Sequence, residues 1–154
     1  MIKVGLLNLG SNNLFSIRNA LKKIDINVSN INHLNDYEDL KPDLIILPGV
    51  GSFPSAMKKI KKERFDKLIF DHNENNKPIL GICLGAQLML NKSYEFQPTK
   101  GLGLIDGDVK SLKDFNIITP NINWLKTECK NEIYDDIFNN QFFYHVHSFY
   151  INPS

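Results

Sequence analysis

The sequence predicts an α/β fold built around a doubly wound, mostly parallel sheet. Three short apolar runs, at residues 2–7, 44–47 and 79–82, have the continuous hydrophobicity of strands that are buried on both faces. Each run leads into a glycine-containing segment, and apolar residues at helical spacing follow it. Because parallel strands need crossover connections, this strand-helix alternation favours a parallel sheet with helices on its faces.

The first strand and helix are the most regular of these elements. The apolar run at 2–7 ends before the turn cluster Gly10-Ser11-Asn12-Asn13. Apolar residues then recur at helical spacing from Leu14 to Ile24, and Ser11, Asn12 or Asn13 is available as the N-cap. Residues 26–31 predict a weaker strand.

The middle of the chain has the same succession of strand, loop and helix twice more. The strand at 44–47 ends at Pro48-Gly49-Val50-Gly51, and the spacing predicts one helix over residues 54–70. The strand from Ile79 to Ile82 leads into Cys83, and Leu84 to Leu90 are predicted to be helical.

From about residue 100 the predicted elements become shorter. A glycine-rich turn at 101–107 is followed by apolar residues at Val109 and Ile117-Ile118. The aromatic segment from Phe142 to Tyr150 is predicted to be one strand.

Composition excludes several classes of function. The formal net charge is +1, from 18 basic and 17 acidic residues, so there is no electrostatic reason to expect a nucleic acid or membrane partner. The N-terminal apolar run is too short for a signal peptide, and no run approaches the roughly 20 apolar residues of a membrane span. Cys83 and Cys129 lie in unrelated contexts, so no disulfide is expected and a reducing cytoplasm is the expected compartment.

Three loops are candidates for the functional site. The segments 10–13, 48–53 and 81–87 all follow predicted parallel strands. Ligands of open α/β sheets bind beyond the carboxyl ends of the strands. We therefore expect these three loops to meet at one site.

The segment around Cys83 has the pattern of a nucleophile elbow. In Gly81-Ile82-Cys83-Leu84-Gly85, glycines lie two residues before and two after a cysteine at a strand-to-helix turn. The sharp turn presents the sulfur to solvent, and the helix N-terminus favours the reactive thiolate. The backbone N–H of Leu84 would then face an oxyanion that forms on attack. The alternative role for Cys83 is a buried structural cysteine, whereas Cys129, between Glu128 and Lys130, has no elbow context and is expected to be incidental.

Together with three further motifs, the elbow resembles the class I glutamine amidotransferases. More narrowly, the chain is similar to the glutaminase subunits of imidazole glycerol phosphate synthase over nearly all of its length. The motifs that carry the resemblance are Leu47-Pro48-Gly49-Val50-Gly51-Ser52-Phe53, Gly81-Ile82-Cys83-Leu84-Gly85-Ala86-Gln87, Gly101-Leu102-Gly103-Leu104 and Tyr144-His145-Val146-His147-Ser148-Phe149-Tyr150. The resemblance implies a flavodoxin-like fold, with residues 1–154 forming one amidotransferase domain that is incomplete at its C-terminus.

The resemblance also implies a role for individual residues. Cys83 would attack the glutamine carboxamide to form a thioester and release ammonia. The oxyanion hole would comprise backbone N–H groups of Val50 or Gly51 and of Leu84. The residues implied to bind glutamine are Gly49, Gln87, Ser148 and Phe149.

A partner is implied as well. A HisF-like cyclase/synthase subunit would accept the ammonia. The implied partner interface comprises Asn13 in the 10–13 loop, Trp124, Tyr144 and His147. No cofactor and no metal is implied.

Other interpretations of these motifs remain open. Pro48 to Gly51 could be only a tight turn, and Trp124 could belong to a core. His145 and His147 alternate with Tyr144 and Val146, so both should face one side of their strand. A hydrogen-bonded core histidine is the alternative role for both and is favoured for His145.

Two departures from the family pattern affect the expected function. The family's proton donor is a histidine in a His-Pro-Glu segment, and these 154 residues contain no such segment. A chain that ends at Ser154 is therefore expected to hydrolyse glutamine negligibly even with the partner present, and ammonia release that Cys83→Ala abolishes would contradict this. The segment Pro120 to Asn123 lacks the His and Gly that the family has before Trp124.

Three alternatives to the glutaminase subunit follow from these departures. The first is a catalytically dead or truncated paralogue that binds a synthase. The second is an amidotransferase partner in surface-sugar biosynthesis. The third is a stand-alone cysteine hydrolase of the same fold.

Overall fold

The chain divides into two compact units in a computed structural model. The model describes residues 2–10, 13–130 and 134–154. The first unit comprises Met1–Lys110 and Ile151–Ser154, and the second comprises Ser111–Tyr150. The expectation of one domain over residues 1–154 stays a prediction.

A four-stranded parallel sheet forms the centre of the first unit. Its strands are β1 (Val4–Leu7), β2 (Val28–Ile31), β3 (Leu44–Leu47) and β4 (Ile79–Gly81). Their order is β2-β1-β3-β4, and all three pairings are parallel. The helices of this unit are α1 (Leu14–Lys22), α2 (Leu34–Leu40), α3 (Phe53–Lys62), α4 (Phe65–Glu74) and α5 (Leu84–Leu88). The predicted fold class is confirmed.

Both faces of the central strands are buried, as their continuous hydrophobicity predicts. Val4, Leu6 and Ile46 form a core cluster with Ile17 of α1. Because side chains alternate along a strand, Leu7 and Ile45 project to the opposite face, where they are fully buried too. Burial of a side chain of this size stabilises the fold by about 1.5–3 kcal/mol.

The remaining strands are shorter. They are β5 (Lys92–Ser93), β6 (Thr99–Lys100), β7 (Gly107–Ser111), β8 (Asn121–Lys126), β9 (Phe142–His147) and β10 (Phe149–Pro153), with helix α6 at Asp135–Phe138. One sheet has the order β10-β7-β5-β6. In the second unit β8 and β9 pair antiparallel, from Asn121 opposite His147 to Lys126 opposite Phe142. Within the described ranges, no helix is long and apolar enough to cross a membrane.

The prediction of one helix over residues 54–70 is wrong. The chain forms α3 and α4 instead, because Arg64 between them adopts a left-handed conformation with φ of 59°. This break lets Ile60 and Phe65, one on each side of it, both be fully buried. Arginine has no intrinsic preference for this conformation, so the sequence carries no local signal for the break.

Other elements also differ from the prediction. The aromatic strand divides at Ser148 into β9 and β10, and helix α2 and strand β8 have no counterpart among the predicted elements. Helix α2 has an N-terminal capping box between His33 and Asp36, a pattern that has histidine in place of the usual Ser or Thr. Ser11 and Asn12, two of the three proposed caps of α1, lie outside the described residues, and Asn13 makes no side-chain capping bond.

A buried histidine connects α4 to the strand that leads to Cys83. His72 is fully buried, and its Nε2 lies 3.1 Å from the Pro78 carbonyl oxygen, which can only accept a hydrogen bond. Nε2 therefore carries the proton, and Nδ1 accepts from the Tyr37 hydroxyl at 3.1 Å. Burial is the main cause that lowers the pKa of His72 below its ordinary value of 6.5, and the nearby Lys77 lowers it further.

We expect this histidine to make folding stability fall in mild acid. The unfolded chain binds a proton near pH 6.5, whereas folded His72 resists protonation until a lower pH. Its contribution is therefore complete above pH 6.5 and declines as the pH falls below that value, with a slope of at most about 1.4 kcal/mol per pH unit. Chemical denaturation between pH 7.5 and 5 measures this slope.

His72→Gln is the matched variant, because glutamine keeps a donor but does not titrate. Between pH 7.5 and 5, the unfolding free energy of His72→Gln should lack the pH dependence that His72 causes in the wild type. Asp36 does not interfere there, since backbone N–H groups of Asn32 and His33 lower the pKa of its carboxyl below the ordinary 3.8. An equal slope in both proteins would contradict the role of His72.

Candidate functional site

The three predicted loops line one cleft in the first unit. The cleft has a volume of about 190 Å³. Its lining residues are Leu9, Gly10, Pro48, Gly49, Val50, Gly51, Ser52, Ser55, Ala56 and Leu84. These residues follow the carboxyl ends of β1, β3 and β4, as parallel-sheet topology requires.

Cys83 occupies a strained backbone position at the end of β4. Its φ is 52° and its ψ is −112°, a combination that costs a residue other than glycine about 1–3 kcal/mol. The residue is exposed. Strain of this kind at an exposed thiol fits a nucleophile elbow, because the turn directs the side chain outward instead of into the core.

The glycines of the elbow are required by close backbone packing. A Cβ at Gly81 would lie 2.6 Å from the Cα of Ala86 in α5. A Cβ at Gly85 would overlap the Leu47 carbonyl oxygen. Any larger residue at either position would push α5 away from the strands.

The 48–51 loop contacts the elbow directly. A Cβ at Gly49 would lie 2.5 Å from the backbone nitrogen of Gly85 and 2.8 Å from the Cα of Leu84. The Ile82 N–H donates to the Leu47 carbonyl at 2.9 Å. The structure therefore brings four of the predicted oxyanion and glutamine residues, Gly49, Val50, Gly51 and Leu84, to one cleft, and Cys83 directly precedes Leu84 in the chain.

The other residues that are predicted to bind glutamine are Gln87 in the first unit and Ser148 and Phe149 in the second. Gln87 is half-buried in α5, and its backbone N–H donates to the Cys83 carbonyl at 3.2 Å. Ser148 is half-buried and lies between β9 and β10, and its carbonyl accepts from the Leu112 N–H at 3.0 Å. Phe149 is half-buried at the start of β10. Their contact with glutamine stays a prediction.

The two histidines of β9 face the same side, as predicted. Their ring centroids are 5.6 Å apart. His147 Nδ1 lies 2.9 Å from the Phe149 carbonyl oxygen, and its Nε2 lies 3.3 Å from Asn121 Nδ2, so Nδ1 donates and Nε2 accepts. Among the described residues His147 is thus fully hydrogen-bonded, whereas His145 Nε2 is buried without a partner. The prediction that favoured His145 as the satisfied histidine is wrong, because the cross-strand neighbour Asn121 lies opposite His147.

Of the predicted partner residues in β8 and β9, Trp124 and Tyr144 lie on an exposed apolar face, whereas His147 projects from the opposite face of β9. Trp124 and Tyr144 are directly opposite in the register, their ring centroids are 5.5 Å apart, and their exposed fractions are 65% and 56%. Ile122 and Val146, the next pair on this face, are also exposed. Trp124 is therefore not a core residue of its unit.

One polar residue beside the cleft has no counterpart in the predictions. Glu95 accepts a hydrogen bond from the Phe53 N–H at 2.6 Å, next to the lining residue Ser52. The contact joins positions 42 apart in the chain, so no local sequence pattern could have revealed it.

A known family and several known relatives match this chain over nearly all of its length. The model of the family "Glutamine amidotransferase class-I" matches residues 6–154. Imidazole glycerol phosphate synthase subunit HisH 1 of Campylobacter jejuni is 39% identical, with 96% of this chain and 75% of that protein covered. HisH 2 of Vibrio vulnificus is 37% identical, with 98% and 72% covered. HisH of Methanocaldococcus jannaschii is 37% identical, with 97% and 74% covered.

Solved structures support the fold alone. A crystal structure described as glutamine amidotransferase superposes with a TM-score of 0.63 at 19% identity. The alignment covers 80% of this chain and spans 62% of that one. A putative peptidase E protein from Listeria monocytogenes gives a TM-score of 0.56 at 18% identity, with 68% and 63% covered.

Proposed function

The chain belongs to the class I glutamine amidotransferases, among the HisH subunits of imidazole glycerol phosphate synthase, and from this premise we propose that it is the glutaminase component of a two-subunit synthase in histidine biosynthesis. Cys83 is its nucleophile. The observation that supports the proposal is the contact of the 48–51 loop with the elbow, since residues of both segments line one cleft.

The proposed reaction begins at the exposed sulfur. The Cys83 thiolate attacks the carboxamide carbon of glutamine, and a C–S bond forms while the carbonyl oxygen becomes an oxyanion. Backbone N–H groups of Val50 or Gly51 and of Leu84 donate to this oxyanion, an effect worth about 10²–10³ in rate per donor. The oxyanion then reforms the carbonyl as the C–N bond breaks, the leaving nitrogen takes a proton from solvent water to depart as ammonia, and the resulting hydroxide cleaves the thioester C–S bond to give glutamate and free Cys83.

The remaining assignments concern binding and transfer. Gly49, Gln87, Ser148 and Phe149 hold the glutamine. The ammonia passes to a cyclase/synthase subunit. The chain and that subunit form a heterodimer in the cytoplasm, and the heterodimer has lyase activity. Asn13, Trp124, Tyr144 and His147 contact that subunit.

Glutamine protection tests the substrate assignment. A glutamine analogue in which a chloromethyl ketone replaces the carboxamide should alkylate Cys83 in a saturable manner, as measured by intact mass and peptide mapping. Free glutamine should compete, because both ligands would occupy the same cleft. Alkylation that is linear in reagent concentration and indifferent to glutamine would contradict the proposal.

We expect Trp124→Ala to weaken binding of the cyclase subunit by at least about tenfold. Large aromatic residues on an apolar face are the usual energetic centres of an interface, with truncation costs of about 2 kcal/mol or more. Isothermal titration calorimetry measures the dissociation constant. Phe96→Ala is the matched control, since Phe96 is an aromatic residue that is 86% exposed and is not one of the predicted interface residues. Equal affinities for the two variants would remove Trp124 from the interface.

A further inference from the structure

The start of α3 is held by a side chain from a different part of the chain. The Phe53 N–H donates to Glu95 Oε2 at 2.6 Å. Ser52, the N-cap residue, makes no side-chain capping bond of its own. Glu95 therefore supplies the capping acceptor that the helix would otherwise take from its own N-cap.

Glu95 is itself held next to strand β5 by a hydrogen bond of its backbone. Its backbone N–H donates to the Ser93 hydroxyl oxygen at 3.2 Å, and Ser93 is fully buried in β5. Its carbonyl accepts from the Gln97 N–H at 2.7 Å. The carboxylate thus reaches α3 from a fixed backbone position.

The capped residue directly follows the loop that carries the proposed oxyanion donors. Val50, Gly51 and Ser52 line the cleft, and Phe53 is the first residue of α3. A carboxylate at a helix N-terminus is also stabilised by the helix dipole. Loss of this contact would free the helix start and with it the loop amides, and a displacement of about 1 Å can cost about 100-fold in rate.

We propose that Glu95 is a positioning residue, which fixes the Val50 and Gly51 amides for oxyanion binding by capping α3 at Phe53. The proposal rests on the proposed function, since it assigns Glu95 to the same cleft. Glu95 acts through the loop and not by touching the reacting atoms.

The test compares Glu95→Ala and Glu95→Gln in the full chain, with the loop variant Gln97→Ala as control. The hydrogen-exchange rate of peptides that contain Phe53 measures how well Glu95 protects the Phe53 N–H. Glu95→Ala should accelerate exchange there by at least about tenfold, Glu95→Gln should restore part of the protection through its amide oxygen, and Gln97→Ala should match the wild type.

A second measurement tests whether capping of α3 by Glu95 affects the reaction of Cys83. The maximal rate of Cys83 alkylation by the glutamine-like chloroketone should fall about tenfold in Glu95→Ala, because this reagent passes through an oxyanion. The half-saturating chloroketone concentration should stay within about threefold, and alkylation by iodoacetamide, which forms no oxyanion, should stay within about twofold.

Three outcomes would overturn the positioning role. Unchanged exchange at Phe53 would show that Glu95 does not hold the helix. A weaker half-saturation with an unchanged maximal rate would make Glu95 a direct contact of the glutamine portion. In the third outcome the wild type is not alkylated in a saturable manner, while the difference in hydrogen exchange persists. The proposed function then fails, and the positioning role fails with it, although Glu95 still caps α3.

Discussion

Replacing Cys83 with alanine is expected to abolish alkylation of the chain by the glutamine-like chloroketone. The sulfur is the only nucleophile that the elbow presents beside the 48–51 loop among the described residues, and alanine removes it without adding bulk. Intact-mass measurement under native conditions gives the modified fraction, and the expected loss is complete.

Two further variants make this result specific. Cys129→Ala should be alkylated like the wild type, because Cys129 lies in the second unit and is not part of the elbow. Cys83→Gly should lose alkylation yet unfold at a denaturant concentration no lower than that of Cys83→Ala, since glycine relieves the strain of a φ of 52°. A modified mass that persists in Cys83→Ala, or that maps to Cys129, would refute the assignment of the nucleophile.

Gly85→Ala is expected to have the largest effect on stability, about 2–4 kcal/mol. A Cβ at this position would overlap the Leu47 carbonyl oxygen and lie 3.0 Å from that of Pro48. Both atoms belong to the backbone, so neither can move aside as a flexible side chain could. Helix α5 would have to shift away from β3, and the contact between the elbow and the 48–51 loop would open. Urea denaturation measures the loss.

The neighbouring Ala86→Gly provides the comparison for this variant. It removes a methyl group from the same helix and should cost only about 1 kcal/mol through helix propensity. Its chloroketone alkylation should be retained, whereas that of Gly85→Ala should fall with the opened cleft. Similar stability of the two variants would show that the close approach of Gly85 to Leu47 is not required.

The composition of the cleft was largely predictable from sequence. Residues 10–13, 48–53 and 81–87 each follow a short apolar strand, and parallel strands necessarily end at one edge of their sheet. The spacing of Gly81 and Gly85 around Cys83 likewise predicted a close strand-to-helix turn, because only glycine tolerates the approach that the structure shows.

Other features depended on contacts between distant residues. The left-handed Arg64 separates α3 from α4 and lets Ile60 and Phe65 both be buried, and nothing local to arginine indicates this break. Nε2 of His147 has a partner because the β8–β9 register places Asn121 opposite it, whereas Nε2 of His145 has none among the described residues. Glu95 reaches Phe53 across 42 positions.

The sequence by itself therefore determined the parallel α/β fold, the three loops at the strand ends and the cysteine at the elbow. These features follow from short-range periodicity and from the steric needs of single residues. Only the tertiary structure decided the helix break, the histidine pairing and the cap on α3, because each depends on which distant side chains pack together.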